Sequence, residues 1–178
     1  MSSVVISGDT SGTVTLTVPT AAGTNTATLP AATGTVMVSG NMPAFSARRA
    51  TTTQTGIASN TPTKVQLNAK DFDTASAFDN TTNYRFTPQV AGYYQISATI
   101  YFTGATITLV QTLIRKNGAD TLTSFFSGPS TGDQKYPVSG LVYLNGSTDY
   151  IELFGAATGG TVSFGIDSFL TGCLVRAA

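Results

Sequence analysis

The sequence has no histidine, no tryptophan, one cysteine (Cys173) and one glutamate (Glu152). Charged residues make up 10% of its 178 positions, against roughly 25% in an ordinary globular chain. Each shortage removes a class of chemistry. Without histidine there is no Ser-His-Asp or Cys-His machinery and no imidazole metal site. A single thiol allows no intrachain disulfide, no thiolate zinc cluster and no CxxC redox pair. The 9 basic and 9 acidic residues cancel, which leaves no basic surface able to hold a nucleic-acid backbone.

Other absences concern location. The start, Met1-Ser2-Ser3-Val4-Val5-Ile6, has neither the positive region nor the apolar run of a secretory signal. No apolar stretch approaches the roughly 18 residues that span a bilayer. The expectation is a protein made in the cytoplasm that leaves only as part of a larger particle, with no membrane insertion.

What is abundant is threonine, 32 residues, together with 18 glycines. Branching at Cβ costs threonine rotamer freedom in a helix and suits it to a pleated sheet. Glu and Lys, the usual occupants of exposed helix faces, are scarce. The expected class is all-β, and 41% hydrophobic content is ample for a core.

Composition changes near Asn41-Met42-Pro43. Residues 1–42 contain one ionisable side chain, Asp9, and no aromatic residue. They read as short strands (Thr13 to Val18, Thr26 to Leu29, Thr35 to Val38) divided by Gly and Pro, with Val14, Leu16 and Val18 alternating onto one face. With so few large apolar groups this segment needs a partner surface to fold. All 17 aromatic residues, 10 Phe and 7 Tyr, follow Pro43. From there about ten short strands with turn signals every 8–12 residues predict a sandwich or barrel. Asn117-Gly118, Asn145-Gly146 and Gly159-Gly160 have the residue types of hairpin turns.

Two stretches resemble known families. Phe86-Thr87-Pro88-Gln89-Val90-Ala91-Gly92-Tyr93-Tyr94-Gln95-Ile96 resembles the signature of C1q/TNF-like jelly rolls, an aromatic before Thr-Pro and then Gly-x-Tyr-x-aliphatic entering a strand. Pro43 to Arg48, Ile114 to Gly118, Val138 to Leu153 and Ser168 to Val175 resemble further strands of that family in the same order. Ile96 and Ala98 stand where animal members carry aromatics, so animal-type ligands do not carry over. The likeness covers residues 43–178. The second stretch lies within residues 4–38, SGDTSGTVTLTVPTAAGTNTATLPAATGTVMV, and is similar to a leader common in tailed-bacteriophage tail-fibre and other virion proteins.

The resemblances imply a jelly-roll sandwich head (43–178) behind an attachment segment (1–42) that contacts other virion proteins. They also imply a homotrimer, with Tyr94, Ile96, Tyr143 and Phe154 as candidate residues at the three-fold interface. The expected function is that of a bacteriophage structural protein, a tail-fibre or tail-associated chain whose head meets a host-surface glycan or protein. The alternative is a capsid decoration or cement protein. Candidate ligand loops carry Asn80, Asn83, Ser130, Asp133 and Thr158. No catalytic, cofactor or metal site is expected. The scattered acids form no paired-carboxylate motif, and Asp71, Asp73 and Asp79 read as solvated carboxylates and turn caps rather than calcium ligands. Cys173 reads as a buried inert thiol, and Arg48-Arg49 as a solvated strand edge.

Overall fold

A computed structural model describes residues 3–28, 31, 36–38, 40, 42–104, 106–130 and 132–178. Among these there is no α-helix. Fifteen strands follow in order: β1 (Ser3–Ser7), β2 (Thr13–Thr17), β3 (Ala44–Arg48), β4 (Gln54–Ile57), β5 (Thr63–Lys64), β6 (Ala69–Asp73), β7 (Phe78–Asp79), β8 (Arg85–Phe86), β9 (Gly92–Gly104), β10 (Ile107–Lys116), β11 (Ala119–Ser130), β12 (Gln134–Leu144), β13 (Ile151–Gly159), β14 (Val162–Phe164) and β15 (Phe169–Ala177). The chain divides into two compact units, Met1–Gly34 and Thr35–Ala178.

The first unit contains a hairpin in which β1 and β2 pair antiparallel, with Val4 opposite Leu16 and Ile6 opposite Val14. Directly opposed residues share a face, so these four make one apolar face, and all four are exposed. A lone two-stranded hairpin is marginal in water. Residues 26–28 and 36–38, expected as strands, are irregular; Leu29 and Thr35 lie outside the described residues.

The second unit is a sandwich of two antiparallel sheets. One runs β12-β9-β15-β3-β6, and β14 extends it along β9 and carries β4. The other runs β11-β10-β13-β8-β7, with β5 also on β13. Strict alternation builds the first sheet. Along β9, Tyr94, Ile96, Ala98, Ile100 and Phe102 are buried, while the residues between them face outward. Phe45 stacks on Phe86 of the opposite sheet with ring centroids 4.1 Å apart, and within the first sheet Phe102 meets Phe164 edge-on at 5.6 Å. Aromatic pairs in these geometries add about 0.5–1.5 kcal/mol beyond their buried area.

Turn chemistry separates true hairpins from crossovers. Asn117 and Gly118 have φ of 52° and 81° and close the tight β10–β11 hairpin, as expected of Asn-Gly. The other two signals mark crossings from one sheet to the other. Asn145-Gly146 leads from β12 to β13, and Gly159-Gly160 from β13 to β14. At the former, the Asn145 side-chain oxygen accepts the amide hydrogens of Ser147, Thr148 and Asp149. This converts a hairpin signal into a broader corner.

Candidate functional site

The outer face of the β12-β9-β15-β3 sheet is built in rows by the strand register. Ser46, Thr171, Ser97 and Ser139 form one row, and Ala44, Cys173, Gln95 and Leu141 the next. Beyond these, Tyr93 and Tyr143 lie directly opposite each other, ring centroids 5.5 Å apart. The two central rows hold no charged residue. Their side chains are partly paired within the sheet, since Ser97 and Ser139 share a hydrogen bond and Gln95 Nε2 donates to Ser139 Oγ at 2.8 Å. Leu141, Tyr143, Tyr93 and Val175 add exposed apolar area, with Leu141 58% exposed. The face is therefore uncharged in its two central rows, while the Tyr93–Tyr143 end mixes exposed apolar area with charge: Arg176 pairs opposite Tyr93, and the Lys116 ammonium lies 5.5 Å from the Tyr143 ring centre.

The structure redistributes the residues expected at a three-fold interface. Tyr143 lies on this face. Tyr94 and Ile96 do not, because both are wholly buried inside the protomer's own core and have no surface to offer a sister chain. Their outward neighbours Tyr93, Gln95 and Ser97 occupy the face instead. The expectation erred by one residue, and along a strand one residue is one side of the sheet. Tyr94 Oη donates to the Val90 carbonyl at 2.7 Å, and burial pushes its phenol up to about 12. Phe154 is on the other sheet, half-buried beneath Arg115 and Lys64, whose cationic groups lie 4.2 and 5.8 Å from its ring centre.

The candidate ligand residues fall in two regions. Ser130 and Thr158 are strand residues of β11 and β13, not loop residues. Ser130 and Gly159 both pair with Ile107, which puts them at one end of the second sheet with Asp133 nearby in sequence. The Asp133 carboxylate accepts the Tyr101 hydroxyl proton, and that bond raises the phenol's pKa. Asn80 and Asn83 belong to the other end, beside Arg85, which pairs with Glu152. Glu152 and Thr158 are six residues apart on β13, or roughly 20 Å, so no single site unites all five.

Around Asn83 a groove of about 430 Å³ opens, lined by Asp79, Asn83, Arg85, Thr87, Gln89 and Ser147 among others. One wall is a turn organised by Asp79. Its Oδ1 accepts from the amides of Thr81 and Thr82 and the Thr81 hydroxyl, and its Oδ2 accepts from the amide and side-chain nitrogen of Asn83. Hydrogen bonds to the charged form favour it, and the carboxyl is held far below the usual range, the Thr82 and Thr81 amides contributing most. Gly146, at φ 71°, also lines the groove. A Cβ there would lie 2.3 Å from the backbone nitrogen of Ala91. The Arg85 guanidinium lies 4.4 Å from the Tyr150 ring centre.

The acids considered for calcium are otherwise engaged. Asp71 pairs with Arg48, and Asp73 with Lys70 and the amides of Ala77 and Phe78. Burial raises the Asp73 carboxyl, but those amides and Lys70 outweigh it and the net shift is downward. Among the described residues no three potential metal ligands cluster. Two expectations need correcting. Cys173 is exposed, because its side chain alternates outward from β15. Arg49 is 6% exposed, tucked under the loops beside β3, where it donates to the Gln66 carbonyl at 2.9 Å and its Nε has no partner. Burial lowers its pKa.

Strand order and register together define a C1q/TNF-like jelly roll. Solved structures with this fold include the globular domain of zebrafish complement 1qA protein (20% identity, TM-score 0.51, covering 78% of this chain and all of that one). Murine APRIL at pH 5.0 aligns with 14% identity and a TM-score of 0.56, over 76% of this chain and all of its own. The PRD1 vertex protein P5 aligns with 18% identity and a TM-score of 0.53, over 75% of this chain and 73% of its own. At these identities the likeness concerns the fold. No family model and no curated protein matches the sequence.

Proposed function

We propose that the chain is a bacteriophage virion protein, a homotrimeric tail-fibre or tail-associated component whose jelly-roll head meets the host surface. The observation that carries this reading is the outer face of the β12-β9-β15-β3 sheet. Two uncharged rows, mostly of small residues and including exposed Leu141, lie beside exposed Tyr93, Tyr143 and Val175, and this apolar area is costly to leave in water and suited to close packing by another protomer. Low overall charge supports the same reading, because a covered surface needs few solubilising groups. The exposed apolar face of the β1–β2 hairpin supports attachment of the first segment to a neighbouring virion protein.

The likeness to a vertex protein favours a second reading, capsid decoration, in which the same trimer reinforces the particle. A reconstruction of the intact particle separates the two by position, tail or capsid. Light scattering on the full chain at micromolar concentration tests the trimer. About three times the 18.3 kDa chain mass is expected, and a single-chain mass rejects it. Purified full chain is expected to compete with particles for host adsorption; unchanged adsorption would remove the receptor-binding role.

A further inference from the structure

The groove beside Asn83 presents hydrogen-bond donors that meet no acceptor among the described residues. Five basic side chains are engaged with carboxylates: Arg48, Lys64, Lys70, Arg115 and Lys116. Arg85 is not among them. Its guanidinium is steadied on the Tyr150 ring and lines the groove without an ion-pair partner among the described residues. Asp79 sits directly opposite Arg85 in the β7–β8 register, yet its oxygens already take five donors from its own turn. A carboxylate offers about four lone-pair sites, so Asp79 is saturated and leaves the guanidinium unengaged. Thr87 and Gln89, which also line the groove, make no side-chain hydrogen bond among the described residues.

We propose that this groove binds a saccharide bearing a carboxylate, a uronic or sialic acid unit, with the carboxylate on the Arg85 guanidinium and ring hydroxyls on Thr87 and Gln89. The inference deepens the host-binding reading by naming its ligand class. A guanidinium matches a carboxylate in two parallel hydrogen bonds. Phosphate fits less well, since it brings about −1.5 to −2 charges near neutral pH into a groove with one free cation and the fixed negative charge of Asp79. Neutral hydroxyl and amide groups around a single cation suit a ligand that is mostly hydroxyl with one charge. The volume lies within the range of small-molecule sites, about 300–1,000 Å³, and the stacking on Tyr150 holds the fork in place before the ligand arrives.

The test is calorimetric titration of the full chain with three acidic oligosaccharides: oligogalacturonate, oligoalginate and oligosialic acid. Fully methyl-esterified oligogalacturonate and oligoglutamate serve as comparisons. At least one acidic saccharide is expected to bind, at least tenfold more tightly than oligoglutamate. If that saccharide is the galacturonate, the ester binds at least tenfold more weakly. Arg85→Gln weakens binding at least tenfold and Arg85→Lys by less, at unchanged melting temperature. If Arg85→Gln does not fold, Gln89→Ala replaces it, with a severalfold loss expected. Failure of all three saccharides, tighter binding of oligoglutamate, equal binding of acid and ester, or undiminished binding by the folded variants each overturns the proposal. Absence of the chain from virions would reject the virion reading and leave this measurement intact.

Discussion

Ser97 and Ser139 face each other across β9 and β12 with their hydroxyl oxygens 2.9 Å apart, in the uncharged central rows of a sheet face. One hydroxyl donates to the other and Gln95 Nε2 donates to Ser139 Oγ, so much of the pair's hydrogen bonding is met within the face, and neither side chain stands high above the sheet. Both properties suit a surface that another protomer covers.

A long cation at that point opposes such packing. Ser139→Arg is expected to reduce the solution mass from three chains to one while the head stays folded, because the position is exposed in the protomer and an unpaired buried charge costs several kcal/mol. Light scattering with circular dichroism checks it. A variant that keeps the parent mass places the interface elsewhere.

Tyr94 makes stability sensitive to alkali. Its folded phenol titrates at about 12, against 10 for an ordinary tyrosine, because burial disfavours the phenolate. The raised folded value means the contribution is intact below pH 10 and is lost as pH rises from 10 through 12. At about 1.4 kcal/mol per pH unit the loss approaches roughly 3 kcal/mol. Urea unfolding between pH 9 and pH 12 should show this component in the parent and not in Tyr94→Phe, which gives up only the bond to Val90.

Gly146 is held where an L side chain is strained, at φ 71°, with backbone atoms of Val90 and Ala91 against the position of a Cβ. Gly146→Ala is expected to destabilise by about 1–3 kcal/mol. At about 2–4 °C per kcal/mol for a chain of this size, thermal unfolding resolves it. Because the glycine lines the groove, the same variant should also weaken any ligand bound beside Arg85.

Arg49 is a buried cation without an acid. Among the described residues its side chain makes one hydrogen bond, to the Gln66 carbonyl, and burial still lowers its pKa, so Arg49→Met, which keeps the volume and removes the charge, is expected to change stability by no more than about 1 kcal/mol and to favour the fold if anything. Denaturant titration decides. A loss above about 3 kcal/mol identifies the guanidinium as a net stabiliser.

The all-β class and its strands were legible because they depend on local preferences. Threonine and aliphatic alternation over residues 93–102 predicts β9, and Asn117-Gly118 predicts its hairpin. Of the short strands, β5, β8 and β14 were expected at Lys64 to Leu67, Tyr84 to Phe86 and Thr161 to Ile166, and three others were not legible. β4, β6 and β7 carry little alternation of their own and exist because a neighbouring edge supplies the hydrogen bonds. Faces were harder still. Tyr93-Tyr94-Gln95-Ile96 contains three large residues in four, so composition does not say which side is inward, and Tyr94 and Ile96 were placed on the wrong one.

By itself the sequence determined that this protein is built of strands, that it has no histidine and too few cysteines for an intrachain disulfide or a CxxC pair, and that its charge is thinnest where its core-forming aromatics are absent. These follow from side-chain identity. The tertiary structure decided which residues share a surface: Gly159-Gly160 as a crossing between sheets, Cys173 facing out, Arg49 enclosed, and Arg85 without a carboxylate partner among the described residues, beside one already saturated. Such groupings join residues distant in the chain through register and closure of the sandwich, and no local preference encodes them.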